Sequence, residues 1–514
     1  MKLSTLCNGL ALDARGSSAS DTFDPDIWSL CEDSRRLKQG ALFFARSGTK
    51  SDGRAFIDEA IAKGAVAIMV AQGTPMPESI NSARASSDGS TSPVAWLTTS
   101  DPAGAVAMIA ERFSGAPTKT LDLIGVTGTN GKTTITYLVQ QLLEHAGVRC
   151  GLVGTVEIFD GRERVASALT TPPAIQLSEL FARMLDNGCR AAAMEVSSHA
   201  LDQKRVAGLH FRTAIFTNLT GDHLDYHETM NRYAEAKSVL FRMLDSNATM
   251  ILNMDDPWHV TMMNAIGEGA RPSVLRTSLS DPRAECLATV HRAGLDAMDV
   301  TFRGPWGAME IKLPLVGTHN AMNALQATAA AWSRGLDASR IEAALRICRA
   351  PPGRLQPVAM GEQGFSVLVD YAHSDDALAN VLRALRPTVP AGGRLRVVFG
   401  CGGDRDRSKR PRMARVACEG ADQIIVTSDN PRTEDAQLII NEILEGVPAQ
   451  ARTRVEVECD RAKAIAMVVS TAREGDIILI AGKGHEDYQI IGETKHSFDD
   501  RLEAESALRM RACK

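Results

Sequence analysis

A glycine-rich segment followed by a lysine and two threonines is the clearest candidate for chemistry in this sequence. Residues 128–134 read Gly-Thr-Asn-Gly-Lys-Thr-Thr. The backbone N–H groups of such a loop can close round a polyphosphate at the positive end of a helix. Lys132 would then reach the β- and γ-phosphates, and the Thr133 hydroxyl would bind Mg²⁺. We predict a nucleotide phosphate site whose candidate contacts are Gly128, Thr129, Asn130, Gly131, Lys132, Thr133 and Thr134.

The elements on either side of this segment are those that a phosphate loop needs. Residues 121–126 form an apolar run typical of a buried strand, and apolar residues recur at helical spacing from Ile135 until Gly147. The strict phosphate-loop pattern is not met at one position, because its first glycine would fall on Val126. The flanking strand and helix nevertheless favour a phosphate site over an ordinary glycine-rich turn.

Polar residues follow two further predicted strands. The apolar run 191–196 contains Glu195 near its end, and the run 213–218 is followed by a segment that contains His223. A carboxylate is the hard oxygen ligand that Mg²⁺ prefers, and an imidazole could complete a second metal position. Two metal ions would neutralise charge on both sides of a transferring phosphoryl group. The alternative is that these residues are helix caps and loop histidines satisfied by their neighbours.

Two other polar residues have ordinary structural explanations. Lys237 lies in a helical segment at 233–241, and its spacing alone predicts a solvated surface lysine. Asn320 lies in a turn that opens a helix, where it could cap the first N–H groups or contact an adenine. Capping is the more ordinary role for asparagine at such a position.

The last third of the chain predicts a doubly wound parallel sheet. Apolar runs at 365–370, 395–400, 423–428 and 476–481 alternate with helical segments. The loops after parallel strands meet at one edge of a sheet, where ligands bind. Arginines in these loops suit a carboxylate, and Glu486 suits an ammonium group. Together the loops suggest an amino-acid substrate, although each charge alone is typical of a solvated loop.

Length and composition indicate an α/β protein of several domains. A chain of 514 residues predicts about three domains. Prolines at position 117 and in the segment 349–353 mark two boundaries. We predict domains at 1–117, 118–348 and 349–514, with a long exposed loop at 71–93.

Composition also excludes some classes of function. The content of 44% hydrophobic and 23% charged residues is typical of a globular protein. A net charge of −5 argues against non-specific nucleic-acid binding. Neither a signal-like apolar run nor a membrane span is evident. We therefore expect a cytoplasmic protein that binds no nucleic acid and has no membrane span. We also expect a monomer.

Several long motifs, in a fixed order along almost the whole chain, resemble those of one family. GTNGKTT resembles its phosphate loop, including the glycine shift; MEVSSHAL, TNLTGDHLDYH and AEAKSVLF resemble its central motifs; and DNPR at 429–432 resembles the signature of its diaminopimelate-adding members. The sequence resembles the Mur ligases, the ATP-dependent amide-forming enzymes of peptidoglycan precursor synthesis. The resemblance implies three α/β domains: a UDP-binding domain, a central phosphate-loop ATPase domain and a C-terminal doubly wound, mostly parallel sheet that binds an amino acid.

The resemblance also implies a reaction. ATP, with Mg²⁺, would activate the D-glutamate of UDP-N-acetylmuramoyl-L-alanyl-D-glutamate as an acyl phosphate, which the amine of meso-diaminopimelate would then attack. It implies a carbamylated lysine at Lys237, which would make this side chain an anionic metal ligand. The implied catalytic residues are Lys132, Lys237, His223 and Glu195, and the implied metal ligands are Thr133, Glu195, His223 and the carbamate of Lys237.

Further contacts follow from the same resemblance. ATP would also touch Asn320, Arg354 and Asp370. The UDP-muramoyl peptide would touch Ser34, Thr170, Thr171, Ser197, Gln203 and Arg205. Diaminopimelate would touch Arg405, Asp429, Asn430, Arg432, Gly482 and Glu486.

One departure and two alternative functions accompany these expectations. Asp375 stands where the family usually has proline, which puts the local turn in question. A lysine-adding ligase of the same fold is the nearest alternative function. A phosphate-loop switch that hydrolyses ATP to change shape is the alternative from another class.

Overall fold

The described part of the chain contains three large β-sheets flanked by helices, together with one two-stranded hairpin. The computed structural model describes residues 1–15, 24–48, 52–78, 80, 94–360 and 363–512. Most of the loop predicted at 71–93 lies outside these residues. The predicted α/β class with mostly parallel sheets is confirmed. Within the described part of the chain, every helix is too short or too polar to span a lipid bilayer.

The first sheet has five strands in the order β1-β5-β4-β3-β2. All neighbours are parallel except β1 and β5. The strands are β1 (Leu12–Arg15), β2 (Ser29–Cys31), β3 (Ala41–Phe44), β4 (Ala65–Ala71) and β5 (Ala95–Thr99). The helices of this unit are α1 (Leu3–Cys7), α2 (Ile57–Ala62) and α3 (Pro102–Phe113).

The second sheet has eleven strands in the order β16-β15-β14-β13-β12-β11-β6-β10-β7-β8-β9. The strands from β14 to β7 in this order pair in parallel, whereas β14-β15-β16 at one end and β7-β8-β9 at the other pair antiparallel. The strands are β6 (Asp122–Thr127), β7 (Cys150–Val153), β8 (Glu157–Phe159), β9 (Arg164–Ala166), β10 (Ala191–Glu195), β11 (Phe211–Phe216), β12 (Thr249–Asn253), β13 (Ser273–Ser278), β14 (Cys286–Ala293), β15 (Met298–Gly304) and β16 (Gly307–Leu313).

Helices cover both faces of this sheet. They are α4 (Lys132–His145), α5 (Ala174–Asp186), α6 (Ser198–Asp202), α7 (Leu224–His227), α8 (Met230–Arg242), α9 (His259–Asn264), α10 (His319–Ser333) and α11 (Ala338–Leu345). The apolar stripe of α4, from Ile135 to Leu142, is fully buried and shares one core with residues of α10. This packing fixes the start of α4 against the end of β6.

The third sheet has six strands in the order β17-β18-β22-β19-β20-β21, and only β17 is antiparallel. The strands are β17 (Gln356–Met360), β18 (Ser366–Asp370), β19 (Leu395–Phe399), β20 (Gln423–Val426), β21 (Val455–Val457) and β22 (Ile477–Ala481), followed by a hairpin of β23 (Tyr488–Ile491) and β24 (Thr494–Ser497). The helices are α12 (Asp375–Leu385), α13 (Lys409–Gly420), α14 (Ala436–Leu444), α15 (Arg461–Ser470) and α16 (Asp500–Ala512).

Sheet topology brings the predicted site residues to two edges. Strand β6 lies between β10 and β11, so their carboxyl ends carry the phosphate loop, Glu195 and the loop that leads to His223. Strands β19, β20 and β22 end in the same way at the loops of the third sheet. The domain boundaries that we propose, after residues 117 and 348, fall between the sheets.

Candidate functional site

Close backbone approach explains both glycines of the phosphate loop. Gly128 has φ +146°, and a Cβ there would lie 1.8 Å from Thr217 Oγ1. Gly131 has φ +88°, and a Cβ there would lie 2.6 Å from Asn323 Oδ1. Because a side chain at either position would collide with the neighbouring strand end or helix, the loop requires glycine at both.

The loop is held by the end of the neighbouring strand. Asn130 N donates to Asn218 Oδ1 at 2.9 Å, and Thr217 Oγ1 donates to the Asn130 carbonyl at 2.6 Å. Thr129 N donates to the Asn218 carbonyl at 2.8 Å. Sequence reasoning gave no role to Thr217 or Asn218, although they open the motif TNLTGDHLDYH and lie at the end of a strand that neighbours β6.

Two lysine amines meet at one carbonyl oxygen. Lys132 Nζ lies 2.9 Å and Lys237 Nζ lies 2.8 Å from the oxygen of Gly128, and both amines donate to it. Lys237 is 1% exposed, so the surface lysine expected from helical spacing is wrong. Burial and the nearby Lys132 hold the pKa of Lys237 well below its ordinary value. Burial also lowers the pKa of Lys132, against the opposing effect of Glu195.

Glu195 is a buried carboxylate directed at the start of α4. It accepts hydrogen bonds from Thr133 Oγ1 at 3.0 Å, Thr155 N at 2.8 Å and Thr155 Oγ1 at 3.1 Å. Thr155 follows strand β7 and was not predicted, since nothing in its local sequence distinguishes it. Two predicted metal ligands, Thr133 and Glu195, are therefore in direct contact.

His223 lies in a cluster of aromatic rings beside Lys237. Its ring centroid is 4.9 Å from that of His199 and 6.3 Å from that of Tyr233. Lys237 Nζ lies 4.3 Å from the centroid of the Tyr233 ring, so both predicted ligands lie near this ring. Burial lowers the pKa of His223 to about 4, which leaves a neutral imidazole at neutral pH.

The donor types around the loop suit a hard cation. Among the described residues, no group of three or more His, Cys, Asp or Glu side chains is arranged to hold a metal ion. The predicted set contains one such carboxylate and one imidazole, together with the Thr133 hydroxyl and an unmodified amine. The oxygens of Thr133 and Glu195 are of the kind that Mg²⁺ prefers. A second anionic ligand would require modification of Lys237.

Five of the six predicted nucleotide-peptide contacts form one network next to Glu195. Thr171 Oγ1 donates to the Glu195 carbonyl at 2.7 Å and accepts from Ser197 N at 3.1 Å. Arg205 Nη1 donates to the Thr171 carbonyl at 2.8 Å. Arg205 Nη2 donates to Gln203 Oε1 at 2.7 Å, and the hydroxyls of Thr155 and Thr170 are 3.0 Å apart.

The sixth contact, Ser34, belongs to the first α/β unit. Its hydroxyl is buried and donates to Glu59 Oε2 at 2.9 Å. Asp101, directly before α3 of the first unit, accepts from Lys204 Nζ at 2.8 Å. Because Lys204 lies between Gln203 and Arg205 in the chain, the first unit contacts the segment that carries two residues of this network.

Arg354 connects the third sheet with the phosphate loop. Its Nη2 donates to Thr133 Oγ1 at 3.3 Å, and its guanidinium stacks on the Tyr371 ring at 4.5 Å. The Asp370 carboxylate accepts from Leu355 N at 2.7 Å and so fixes the segment that carries Arg354. Burial raises the pKa of Asp370.

Asn320 does not make the cap expected at the start of α10. Its side chain instead bonds to the preceding turn and to Asn323. Its Nδ2 donates to the Val316 carbonyl at 2.7 Å, and its Oδ1 accepts from Asn323 Nδ2 at 2.8 Å. Asn323 in turn lies against Gly131 of the phosphate loop. Asn320 therefore supports the loop through its neighbour.

The loops of the third sheet bring two arginines and two carboxylates close together. A Cβ on Gly402 would lie 2.9 Å from Arg432 Nη1 and 3.7 Å from Arg405 Cγ, so the Arg432 guanidinium and the base of the Arg405 side chain lie on either side of this glycine. Asn430 Nδ2 donates to Glu486 Oε2 at 2.9 Å.

Gly482 and Asp429 complete this group. Gly482 has φ +120°, and a Cβ on it would lie 2.9 Å from Asp429 Oδ2. Burial, followed by the neighbouring Asp429, raises the pKa of Glu486. All six residues predicted for the amino acid therefore line one group of loops.

Comparison with known proteins agrees with this architecture over the whole chain. The family model described as Mur ligase middle domain matches residues 126–331. The models described as Mur ligase, glutamate ligase domain, and as Mur ligase family, catalytic domain, match residues 353–484 and 27–113. A curated relative from Synechococcus sp. (strain WH7803), named UDP-N-acetylmuramoyl-L-alanyl-D-glutamate–2,6-diaminopimelate ligase, is 44% identical over 94% of this chain and 95% of its own.

The chain belongs to the Mur ligase family. A relative of the same name from Gloeobacter violaceus is 41% identical over 99% of both chains. A solved structure of a ligase of that name is 32% identical, with a TM-score of 0.68 over 96% of this chain and 98% of the other. A MurF structure from Acinetobacter baumannii, 16% identical with a TM-score of 0.61 over 95% of this chain and 94% of the other, shares the fold of this Mur ligase.

Proposed function

We propose that this Mur ligase uses ATP to join meso-2,6-diaminopimelate to UDP-N-acetylmuramoyl-L-alanyl-D-glutamate. One observation carries the choice of amino acid: the Arg432 guanidinium lies against Gly402, beside the base of the Arg405 side chain and in the same group of loops as the Asn430–Glu486 pair. The arginines suit a carboxylate and the acidic group suits an ammonium. The names of relatives that match nearly the whole chain support the same substrates.

The proposed reaction has two steps. The γ-carboxylate of the D-glutamate attacks the γ-phosphorus of ATP, and ADP leaves to give an acyl phosphate. The neutral amine of diaminopimelate then attacks the acyl carbon, phosphate leaves, and the nitrogen loses a proton to form the amide. Positioning and charge neutralisation account for most catalysis in such transfers. Lys132, on the phosphate loop, would neutralise charge on the β- and γ-phosphates.

The proposed cofactor is Mg²⁺, which when bound neutralises phosphate charge. Thr133, Glu195, His223 and a carbamate on Lys237 would hold it. The fit rests on the Thr133–Glu195 contact and on the neutral imidazole of His223. On the ATP side, Asn320 and Asp370 would order the site, and Arg354 would neutralise charge beside Thr133.

The nucleotide peptide would lie between the first and second sheets. Thr170, Thr171, Ser197, Gln203 and Arg205 would hold its muramoyl-peptide part beside Glu195, and Ser34 would contact its uridine diphosphate. The proposal is of a cytoplasmic monomer, because ATP is a cytoplasmic nucleotide and residues of one chain supply every proposed site.

An amine panel with one variant tests the choice of substrate. We expect phosphate release to require both the UDP-muramoyl dipeptide and diaminopimelate, with lysine and ornithine as poor substitutes. Lysine lacks the second carboxylate, and discrimination by a site built to pair a buried polar group can reach about 10⁴-fold. Arg432→Ala should weaken the use of diaminopimelate far more than the use of ATP.

Two outcomes would contradict the proposal. Equal loss of diaminopimelate and ATP use in Arg432→Ala would refute the role of this arginine, and equal use of lysine would favour the lysine-adding alternative. ATP hydrolysis that is indifferent to both co-substrates would favour a phosphate-loop switch instead.

A further inference from the structure

Lys483 is a buried cation at the centre of the loops that carry Asp429, Asn430 and Glu486. Its side chain is 0% exposed. Its Nζ donates to Asn430 Oδ1 at 2.9 Å and to the Tyr488 carbonyl at 2.7 Å. It also lies 3.3 Å from Asp429 Oδ1. One amine thus joins the loop after β20, the loop after β22 and the start of the hairpin β23–β24.

Lys483 determines which way the Asn430 amide faces. Two donors, Lys483 Nζ and Ile490 N, each lie 2.9 Å from Asn430 Oδ1. Because the amide oxygen accepts both bonds, the NH₂ end must point the other way, and it donates to Glu486 Oε2. The orientation of Glu486 therefore depends on a lysine 3.8 Å from that same oxygen.

Charge compensation in this group also depends on Lys483. Asp429 and Glu486 are two carboxylates close to one amide, and Lys483 is the cation in contact with both. The other buried cation nearby, Arg461, is paired with Asp500 through bonds of 2.7 Å, so its charge is already compensated. Asp429, Glu486 and Lys483 taken together carry one excess negative charge, which suits one ammonium group of an amino acid, and Arg432 acts on Glu486 from beside this cluster.

We propose that Lys483 is a positioning residue for the incoming amino acid: it orients Asn430 and Glu486 and compensates one of the two carboxylates. The inference rests on the proposed function and deepens it, because it assigns the ammonium end of the substrate to this group. Lys483 acts through its neighbours, so its effect is on capture of the amine. ATP binds at the other sheet edge, and its use does not depend on this lysine.

Steady-state kinetics of two variants in the full chain test the inference. Lys483→Met keeps the length of the side chain and removes its charge. We expect the KM for diaminopimelate to rise about tenfold or more, since loss of a group that orients ligand-binding side chains has effects of this size. The KM for ATP and the kcat at saturating amine should stay within about twofold. Lys483→Arg keeps the charge, so its KM for diaminopimelate should lie between those of Lys483→Met and the wild type.

Arg396→Met is the matched control, because it also removes a buried cation from the third sheet. Arg396 is 1% exposed and donates to the Val468 carbonyl, away from the amine loops. Both methionine variants should lose thermal stability, whereas only Lys483→Met should raise the KM for the amine. An equal rise in the KM for diaminopimelate in both methionine variants would show that Lys483 has only a structural role.

The remaining outcomes separate this inference from the proposed function. A wild-type protein that does not use diaminopimelate refutes the proposed function. A wild-type protein that does, with an unchanged amine KM in Lys483→Met, refutes only the role of Lys483. If the methionine variant fails to fold, Lys483→Arg decides: a selective rise in amine KM supports the inference, and equal changes in the amine and ATP KM values overturn it.

Discussion

At the scale of single residues, Lys237 shows how burial can prepare a side chain for modification. Its amine shares the Gly128 carbonyl oxygen with Lys132, and its pKa lies well below that of an ordinary lysine. The neutral amine is the form that adds carbon dioxide. A carbamate would replace a potential second cation with an anion beside Lys132, so repulsion would become attraction.

We therefore predict that Lys237 carries a carbamate at neutral pH. Protein incubated with ¹³C-bicarbonate should show one labelled carbamate carbon by NMR, and this signal should be absent from Lys237→Ala. Because burial keeps the folded-state amine neutral, the signal should persist to lower pH than carbamates on exposed lysines do. A signal of equal intensity in the alanine variant would contradict the assignment.

Sequence reasoning reached residues that are neighbours along the chain. Gly128, Lys132 and Thr133 were predicted as phosphate contacts because the loop and its helix are contiguous in the chain. Thr155 and Asn218 were missed because their partners lie 40 and 88 residues away. Only strand order brings such residues together, and spacing along the chain does not encode it.

At the scale of elements, helix α12 accounts for the aspartate that replaces the family's usual proline. Ser374 is the N-cap, in an extended conformation with φ −126° and ψ 160°, and its side chain accepts from Ala377 N. Asp375 is therefore the first helical residue, where proline is also favoured and where an acidic side chain suits the helix dipole. Its carboxylate lies 3.1 Å from Arg412 Nε of α13. The turn is preserved by a different residue.

We predict that Asp375→Pro is nearly neutral. The variant loses an exposed ion pair worth about 0–1 kcal/mol and gains about 0.4–1 kcal/mol from restriction of the unfolded chain. Urea unfolding should show a change of less than about 1 kcal/mol. Ala379→Pro, inside the same helix, should cost about 3 kcal/mol or more. If Asp375→Pro lowered the free energy of unfolding as much as Ala379→Pro does, the turn would require aspartate.

A second element-scale feature joins α13 to the loops near Arg405. The fully buried Arg410 donates to Glu434 Oε1 at 2.8 Å and to Glu442 Oε2 at 2.7 Å. Glu434 Oε1 also accepts from Asp404 N at 2.6 Å. Hydrogen bonds from Arg410 lower the pKa of Glu434 to about 2.

This pair predicts a pH-dependent contribution to stability. The folded-state pKa of Glu434 lies below its unfolded value near 4.5, so the contribution is complete above pH 4.5 and is lost as pH falls towards 2. Glu434→Gln should lower the free energy of unfolding by about 1–2 kcal/mol at pH 7, and the difference from wild type should shrink at pH 3. A difference that is constant with pH would exclude an electrostatic origin.

At the scale of the whole molecule, Asp376 of α12 connects the unit of the third sheet to that of the second through two hydrogen bonds. Its Oδ2 accepts from Asn130 Nδ2 at 2.8 Å and from Thr220 Oγ1 at 2.9 Å. Asn130 belongs to the phosphate loop, and Thr220 belongs to the loop that leads to His223. Together with the Arg354–Thr133 contact, this carboxylate holds the third sheet against the phosphate loop. In the proposed function, ATP binding would therefore depend on the approach of the third sheet, which would also exclude water.

We predict that Asp376→Ala shifts the protein towards an open arrangement. The radius of gyration from small-angle scattering with bound nucleotide should exceed that of wild type, and the KM for ATP should rise by about tenfold, since hydrogen bonds to a charged group contribute about 1.5–3 kcal/mol. Asp375→Pro is the matched control, because the neighbouring carboxylate faces α13 instead of the phosphate loop. Identical behaviour of the two variants would contradict the role of Asp376.

The strands that were predicted lie within one or two residues of their observed positions, but contacts between sheets were not predicted. The strand expected at 213–218 ends at Phe216, because Thr217 and Asn218 turn to hold the phosphate loop. Apolar runs reveal strands because burial acts on each strand locally. The Asp376 contacts join residues 246 and 156 positions apart, so the sequence pattern carries no sign of them.

The buried pair of Arg461 and Asp500 affects the order in which the phosphate loop and the amine loops form during protein synthesis. Arg461 Nη2 also donates to the Ala481 carbonyl, directly before Gly482, whereas Asp500 lies on α16, 39 residues after Arg461 in the chain. The ribosome releases the phosphate loop long before it releases Asp500. A nascent chain would thus expose its phosphate loop while its amine loops are still unsupported, and the ability to finish the reaction would be acquired last.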